Sequence, residues 1–333
     1  MSNFIEKVHI ENFKSIESID LNCKKINIFI GPPGSGKSNI LEAIGLISEY
    51  TLDKYPESIR IKKYREDDFF LYREIFHYKY TDSLPIGPLR IIINDGELKV
   101  HYNVVLYKLD YIKNKIMNDE VLKNFYERIK LYRFDRNKIT HSEVYFRDFL
   151  LPPFGENLFT LLKLRLDLID YLNDKLFSDM YIELKRTGGV LYIYVNLPPF
   201  NLEKMVKAEV LSESILKLIF DILAIETNKN SIILLDAKVN NNFDFYIEDI
   251  TTRISKSDNQ FFIETDNDIF LRKLIEKVGL KDIKVFWTEL LGTTQIVEIP
   301  ENKLKEFIDQ SDSNLYSLMK KYAKDYLFEK VFP

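Results

Sequence analysis

The 333-residue sequence predicts an α/β protein, with a mixed sheet built from both ends of the chain and split by an inserted α+β region. Three observations carry this. The apolar run INIFI at 26–30 stops at a glycine-rich loop that feeds the helical pattern KSNILEAIGLI. From about 210 onward, apolar strands alternate with amphipathic helices, the order of a helix-covered sheet. Between these two parts the pattern turns to hairpins. The expected division is 1–105 for the N-terminal part of the core, 106–205 for the inserted middle region, and 206–333 for the C-terminal part with its terminal helices.

In chain order, residues 6–30 alternate apolar and polar and then become wholly apolar, which predicts edge strands followed by a buried strand. Residues 37–50 place Ile40, Leu41, Ile44 and Ile47 at helical spacing. The charged and aromatic stretch 51–87 lacks clean periodicity and is expected to be irregular. LRIIINDGELKV predicts a hairpin around Asp95-Gly96. LLPPFGENLFTLLKLRLDLIDYLNDKLF predicts one long amphipathic helix capped at Asn157, and MYIELKRTGGVLYIYVNL a second hairpin turning at Gly188-Gly189. LPPF occurs at 151 and 197 without matching flanks, so it marks two similar loops and no repeat. Beyond it come helix 212–226, strand 231–236, helix 243–255, strand 260–265, helix 267–278, strands 283–288 and 294–299, and helices 301–311 and 313–329.

Composition bounds the function. Hydrophobic content of 46% and aromatic content of 14% exclude a disordered chain. A net charge of -4 gives no global push toward nucleic acid, so DNA affinity would need a local patch. The one basic stretch, 108–138, carries Lys113, Lys115, Lys123, Arg128, Lys130, Arg133, Arg136 and Lys138 among interspersed acids, a pattern that favours a solvated helix face over a DNA contact. Cys23 is the single cysteine, which excludes an internal disulfide and reads as a small core residue. No signal pattern or long apolar run is seen, so a cytoplasmic protein without a membrane segment is expected. Many Ile, Lys, Tyr and Asn residues suggest an AT-rich genome of the kind some archaea have. The four histidines lack ligand spacing, and no Ser-His-Asp or Cys-His arrangement can be argued.

GPPGSGKS, residues 31–38, fits G-x-x-x-x-G-K-[ST] between a predicted strand and a predicted helix, the context in which this motif binds phosphates. Gly31 opens it. Backbone N–H groups around Gly34, Ser35 and Gly36 would cradle the phosphates of ATP at the positive end of the helix. Lys37 would reach the β- and γ-phosphates, and Ser38 would bind Mg²⁺.

IENFKSIESIDL followed by INIFIGPPGSGKSNILEAI resembles the opening of the SMC, RecF and OLD group of ABC-type ATPases, with Asn12, Phe13, Lys14, Ser15, Lys37, Ser38, Asn39 and Ala43 matching. The resemblance implies a P-loop ABC-type ATPase head with a mixed sheet and an inserted lid. It adds Lys14 and Asn39 to the nucleotide contacts. VLSESILKLIF resembles the signature helix, with Leu211, Ser212, Glu213 and Lys217 matching, which implies that Ser212 meets the ATP of a partner head. SIILLDAKVN resembles Walker B and implies that Asp236 faces Mg²⁺. No Toprim-like extension follows, so the resemblance does not extend to a complete OLD nuclease.

The sequence departs from that pattern. Pro33 stands where Asn is frequent, Ser214 replaces the signature glycine, and no glutamine lies between 51 and 90. Asp266 takes the place of the switch histidine, and Ala237 that of the glutamate that activates water. Loss of a general base costs about 10²- to 10⁴-fold in rate. Three readings stay open: a natural ATP-binding switch with weak turnover, a relocated base at Asp266 or Glu264, or an introduced Glu→Ala replacement that traps ATP. Whether the chain is an enzyme is therefore undecided from sequence. Plainer readings make Ser212 a common helix cap and Asp266 the N-cap of the next helix.

The expectation is an ATP-binding head that dimerises on ATP with impaired hydrolysis and acts on DNA in repair, chromosome organisation or phage defence, in the cytoplasm or at the nucleoid. The alternative is a non-hydrolysing scaffold that recruits a protein partner. A small-molecule kinase is disfavoured, since no acceptor site or Arg-rich lid is identifiable.

Overall fold

The computed structural model describes residues 4–51, 89–94, 96–100, 120–139, 147–176, 181–187, 190–197, 202–206, 212–237, 244–310 and 314–331. The expected irregular stretch 51–87 beyond Thr51, the Asp95 and Gly188-Gly189 turn residues, Leu211 and all of 108–119 lie outside them. The elements are β1 (Lys7–Phe13), β2 (Ile16–Asn22), β3 (Ile26–Ile30), α1 (Lys37–Thr51), β4 (Leu89–Ile93), β5 (Gly96–Val100), α2 (Glu120–Tyr126) and β6 (Ile129–Tyr132). Then come α3 (Arg136–Ile139), α4 (Leu158–Leu164), α5 (Leu166–Leu176), β7 (Tyr181–Thr187), β8 (Val190–Leu197), β9 (Leu202–Val206) and α6 (Glu213–Glu226). The chain closes with β10 (Ile232–Asp236), α7 (Asp244–Lys256), β11 (Gln260–Thr265), α8 (Asp268–Val278), β12 (Ile283–Leu291), β13 (Thr293–Ile299), α9 (Glu301–Asp309) and α10 (Leu315–Val331).

Two units form, one from residues 1–131 and 230–333, the other from 132–229. The divisions differ from the expected 105/106 and 205/206 for two physical reasons. The short run IKLY becomes β6 and joins the nucleotide sheet, and α6 packs within the inserted unit, where Phe220 meets the edges of Tyr132 and Phe134.

The first unit holds two sheets. A six-stranded mixed sheet runs β13-β12-β3-β11-β10-β6, with β12, β3, β11 and β10 mutually parallel and β13 antiparallel to β12. A four-stranded antiparallel sheet runs β2-β1-β4-β5. Side chains alternate across each strand, so Phe29, Phe262, Phe286, Ile232 and Leu234 share one face. They form a single apolar cluster with Ile40, Ala43 and Ile44 of α1 and with Val8, Ile10, Ile19 and Ile91 of the smaller sheet. Phe29 stacks on Phe286 and Phe262 with ring centroids 5.3 and 6.5 Å away. The β4–β5 hairpin forms as expected, but the left-handed residue at its turn is Asn94, whose side chain also accepts from the Glu6 and Lys7 amides.

In the second unit β7, β8 and β9 make an antiparallel sheet. The expected single helix is two, broken at Arg165, whose guanidinium bonds Asp167 and Glu226. Asn157 occupies the N-cap position but does not cap. Its carboxamide instead accepts from Leu151 N and donates to Phe149 O, closing the Pro-Pro loop. Among the described residues no helix is long and apolar enough to cross a membrane.

Two features of the first unit give measurable expectations. Buried Gln260 accepts from Ile5 N (2.8 Å) and donates to the carbonyls of Ile5 and Lys24, tying the entry of β1 to the start of β11. Gln260→Ala strands these groups and is expected to cost about 2–4 kcal/mol of unfolding free energy in a urea titration. Burial pushes the Cys23 thiol up to about 12, with Lys284 opposing. The folded chain thus holds this proton more tightly than the unfolded one. The associated stability is present below about pH 9 and lost as pH rises toward 12, so melting curves of the unaltered chain should fall more steeply over that window than those of Cys23→Ala.

Candidate nucleotide-binding site

The glycine-rich loop leaves the buried end of β3, a strand fixed on both sides by β11 and β12. At Gly31 the backbone passes so close to β12 that a Cβ would lie 2.2 Å from the Thr288 carbonyl oxygen. At Gly36 (φ +96°) it would lie 2.0 Å from Thr294 Oγ1, while at Gly34 (φ +77°) nothing stands within 4 Å. The loop is therefore closed on its β12–β13 side and open at Gly34. Ser35 Oγ and Thr288 Oγ1 are hydrogen-bonded at 2.7 Å. Lys37, buried, donates from Nζ to the carbonyls of Gly31 (2.7 Å) and Pro32 (2.9 Å). An incoming phosphate competes with those carbonyls for the ammonium, and the first amides and positive dipole end of α1 favour the anion.

The NFKS turn braces this loop. Asn12 and Lys14 both adopt left-handed backbone (φ 59° and 48°), accepted by Asn and costly for Lys. Ser15 Oγ bonds Thr294 Oγ1 and accepts from Asn39 Nδ2, each at 2.7 Å, and its carbonyl accepts from Thr294 N. Lys14 pairs with Glu42 on α1. Lys14 and Asn39, expected at the nucleotide, thus tie the turn to α1. Ser15, Thr288 and Thr294 form the bracing, and the sequence reading missed the two threonines because nothing local marks a hydroxyl that arrives from 250 residues away.

Two carboxylates stand at the exit of the parallel strands. Asp236, half-buried, ends β10 and is in register with Glu264 of β11. By alternation Asp236 continues the face of Ile232 and Leu234, and Glu264 that of Phe262, which is the α1 side of the sheet. Glu264 is 2% exposed, and its Oε1 accepts from Ser38 Oγ at 3.0 Å. Its legible signal is an acid inside QFFIET, a strand buried along its whole length. Ala237 is fully buried, and its amide donates to the Glu264 carbonyl.

Asp266 is exposed and is not the cap of α8, a place taken by Asn267, which accepts from Phe270 N at 3.0 Å. Burial, with Glu289 and Asp266 nearby, pushes the Tyr316 phenol up. Ser212 belongs to the second unit, where it is exposed and caps α6 by accepting from Ile215 N. Lys217 pairs with the buried Asp221 one turn along the same helix. Of the basic stretch, Lys123, Arg128, Lys130, Arg133, Arg136 and Lys138 are described, and none is fully exposed. Arg128 bonds the Asn230 carbonyl, and Lys138 lies 3.3 Å from the Phe154 ring centroid. Lys130 is buried and the other five are half-buried.

No family model matches the sequence. An 81-residue stretch, 24% of this chain, is 35% identical to the DNA replication and repair protein RecF of Glaesserella parasuis serovar 5 and covers 22% of that protein. The chain thus matches about a quarter of the length of the curated relatives. Among solved structures, the SMC head bound to the C-winged helix domain of ScpA matches over 90% of this chain and 99% of its own, with a TM-score of 0.52 and 15% identity. The Pyrococcus furiosus Smc head with an extended coiled coil, bound to the C-terminal domain of ScpA, matches over 93% and 100%, with a TM-score of 0.53 and 14% identity. The fold is that of an SMC-like head.

Within this SMC-like fold the donor set suits a magnesium nucleotide. Ser38, Asp236 and Glu264 offer hard oxygens, and among the described residues no group of three or more His, Cys, Asp or Glu forms a cage for a metal alone. Mg²⁺ is bound in this way by one or two carboxylates together with phosphates. The loop's steric design is directly testable. Gly31→Ala forces a Cβ into an immovable carbonyl and is expected to lower the melting temperature severely or prevent folding. Gly34→Ala meets only the left-handed backbone cost, about 1–2 kcal/mol, and should still fold.

Proposed function

We propose that the chain is an ATP-binding head of the SMC and RecF kind that binds MgATP and uses it to join two heads, with little or no turnover. The observation that carries the reading is the loop itself: Gly34 open, Lys37 poised on displaceable carbonyls, and Ser38 at the start of α1. Lys37 would bind the β- and γ-phosphates, and Ser38 with Asp236 would hold Mg²⁺, which neutralises phosphate charge when bound. The exposed Ser212–Ser214 rim would meet the nucleotide of a partner head, as the SMC resemblance implies. Turnover is weak because Ala237 cannot accept a proton. Asp266, exposed at the head of α8, is the remaining candidate on that side for orienting water.

Action on DNA, in repair or chromosome organisation, is proposed on the RecF and SMC likeness, with the joined surface of the heads, including the basic stretch 108–138, as the DNA contact. The scaffold reading has its own support in the two solved heads bound to ScpA. A homologous role here would be recruitment of a protein domain to an ATP-held dimer.

Equilibrium binding of a fluorescent ATP analogue with Mg²⁺ tests the core of this. Binding to the unaltered chain and its loss in Lys37→Ala are expected, with ATP raising the dimer fraction in sedimentation. Steady-state phosphate release should be close to that of Lys37→Ala, and Ala237→Glu should raise it by about 10²-fold or more. Rapid release by the unaltered chain overturns the weak-turnover reading. DNA affinity that rises with ATP and falls with salt favours the DNA-acting head over the scaffold.

A further inference from the structure

The acid missing at Ala237 has a counterpart one strand away. We propose that Glu264 is a ligand of the Mg²⁺ ion, so that the metal is held by Ser38, Asp236 and Glu264 together, an inference that rests on the MgATP reading above. Two parallel strands lie about 4.8 Å apart, and the Asp236↔Glu264 register puts both carboxylates on the same face at the same height. That face is the one α1 covers, and Ser38 stands at its first turn. Glu264 is buried at 2% exposure with Oε1 3.0 Å from Ser38 Oγ. Adjacent oxygens of an octahedral Mg²⁺ with bonds of 2.0–2.1 Å are separated by about 2.9 Å. The two oxygens already have the spacing of neighbouring ligands.

Electrostatics point the same way. A divalent cation placed beside two neighbouring carboxylates interacts favourably with both. The backbone of Glu264 is held on both sides, by the Phe29 register and by the Ala237 amide, which fixes the point on the strand from which its side chain departs. The hydroxyl it faces is the metal-binding one of the motif. Glu264 therefore serves the metal side of the phosphate rather than the attacking water. This distinguishes it from a relocated base and fits a head that holds its nucleotide.

The test uses the full chain, a non-hydrolysable ATP analogue, and Mn²⁺ as the probe ion read by electron paramagnetic resonance. Glu264→Gln keeps size and can still accept from Ser38. It is expected to weaken Mn²⁺ binding in the nucleotide complex by 10- to 100-fold, while analogue binding in EDTA stays within about twofold and the melting curve is preserved. Glu264→Cys, the second variant, is expected to shift the preferred ion of the complex from Mg²⁺ toward Cd²⁺, as thiolate ligands do. Mn²⁺ affinity within about twofold of the unaltered chain in Glu264→Gln, or no Cd²⁺ preference in Glu264→Cys, overturns the proposal and leaves the MgATP reading standing. Failure of the unaltered chain to bind the analogue in a Lys37-dependent way overturns both.

Discussion

Gly31 lies against the Thr288 carbonyl at a separation no side chain could tolerate, and the shape of the nucleotide loop follows from that contact. Thr288 also holds Ser35, while Thr294 from the next strand holds Ser15, which in turn receives Asn39. The loop is thus shaped from behind by a hairpin near the C-terminus. Its glycines divide by surroundings: Gly31 and Gly36 admit the hairpin, and Gly34 faces open space. Within this frame a weak local sequence such as GPPGSG acquires one conformation.

Much of this architecture was legible because burial on both faces leaves an unmistakable apolar run. INIFI, SIILLD and QFFIET each became a parallel strand, and LSESILKLIF became a helix capped by Ser212 as its plain reading held. The misses share a different cause. IKLY is too short to announce a strand and is recruited by β10. The break at Arg165 is set by Asp167 and by Glu226, some 60 residues away. Asn157 reads as a cap but spends its carboxamide on the loop before it. The first two outcomes involve a partner remote in sequence, and the third a loop that only the folded chain brings back onto Asn157.

The same holds at the site. Lys37 and Ser38 stand out by motif, because the loop and helix end that carry them are contiguous in the chain. Glu264 was visible only as a possible substitute base. Its relation to Ser38 and Asp236 depends on the register of two parallel strands, which sets both carboxylates on one face of the sheet. Lys14 and Asn39 were assigned to nucleotide by resemblance, and their described partners are Glu42 and Ser15. A motif residue can thus brace the loop from behind.

The strand order has a temporal meaning as well. Both neighbours of β3 in the sheet, β11 and β12, are made after Ile30 by about 230 residues or more. At synthesis rates of roughly 5–20 residues per second, β3 waits some 10 to 50 s on the ribosome with neither edge paired. The smaller sheet closes with β4 and β5 well before that. The contacts of Thr288 and Thr294 with the glycine-rich loop can form only once the C-terminal hairpin has been made, so a chain truncated before β12 has the motif in its sequence without the groups that brace it.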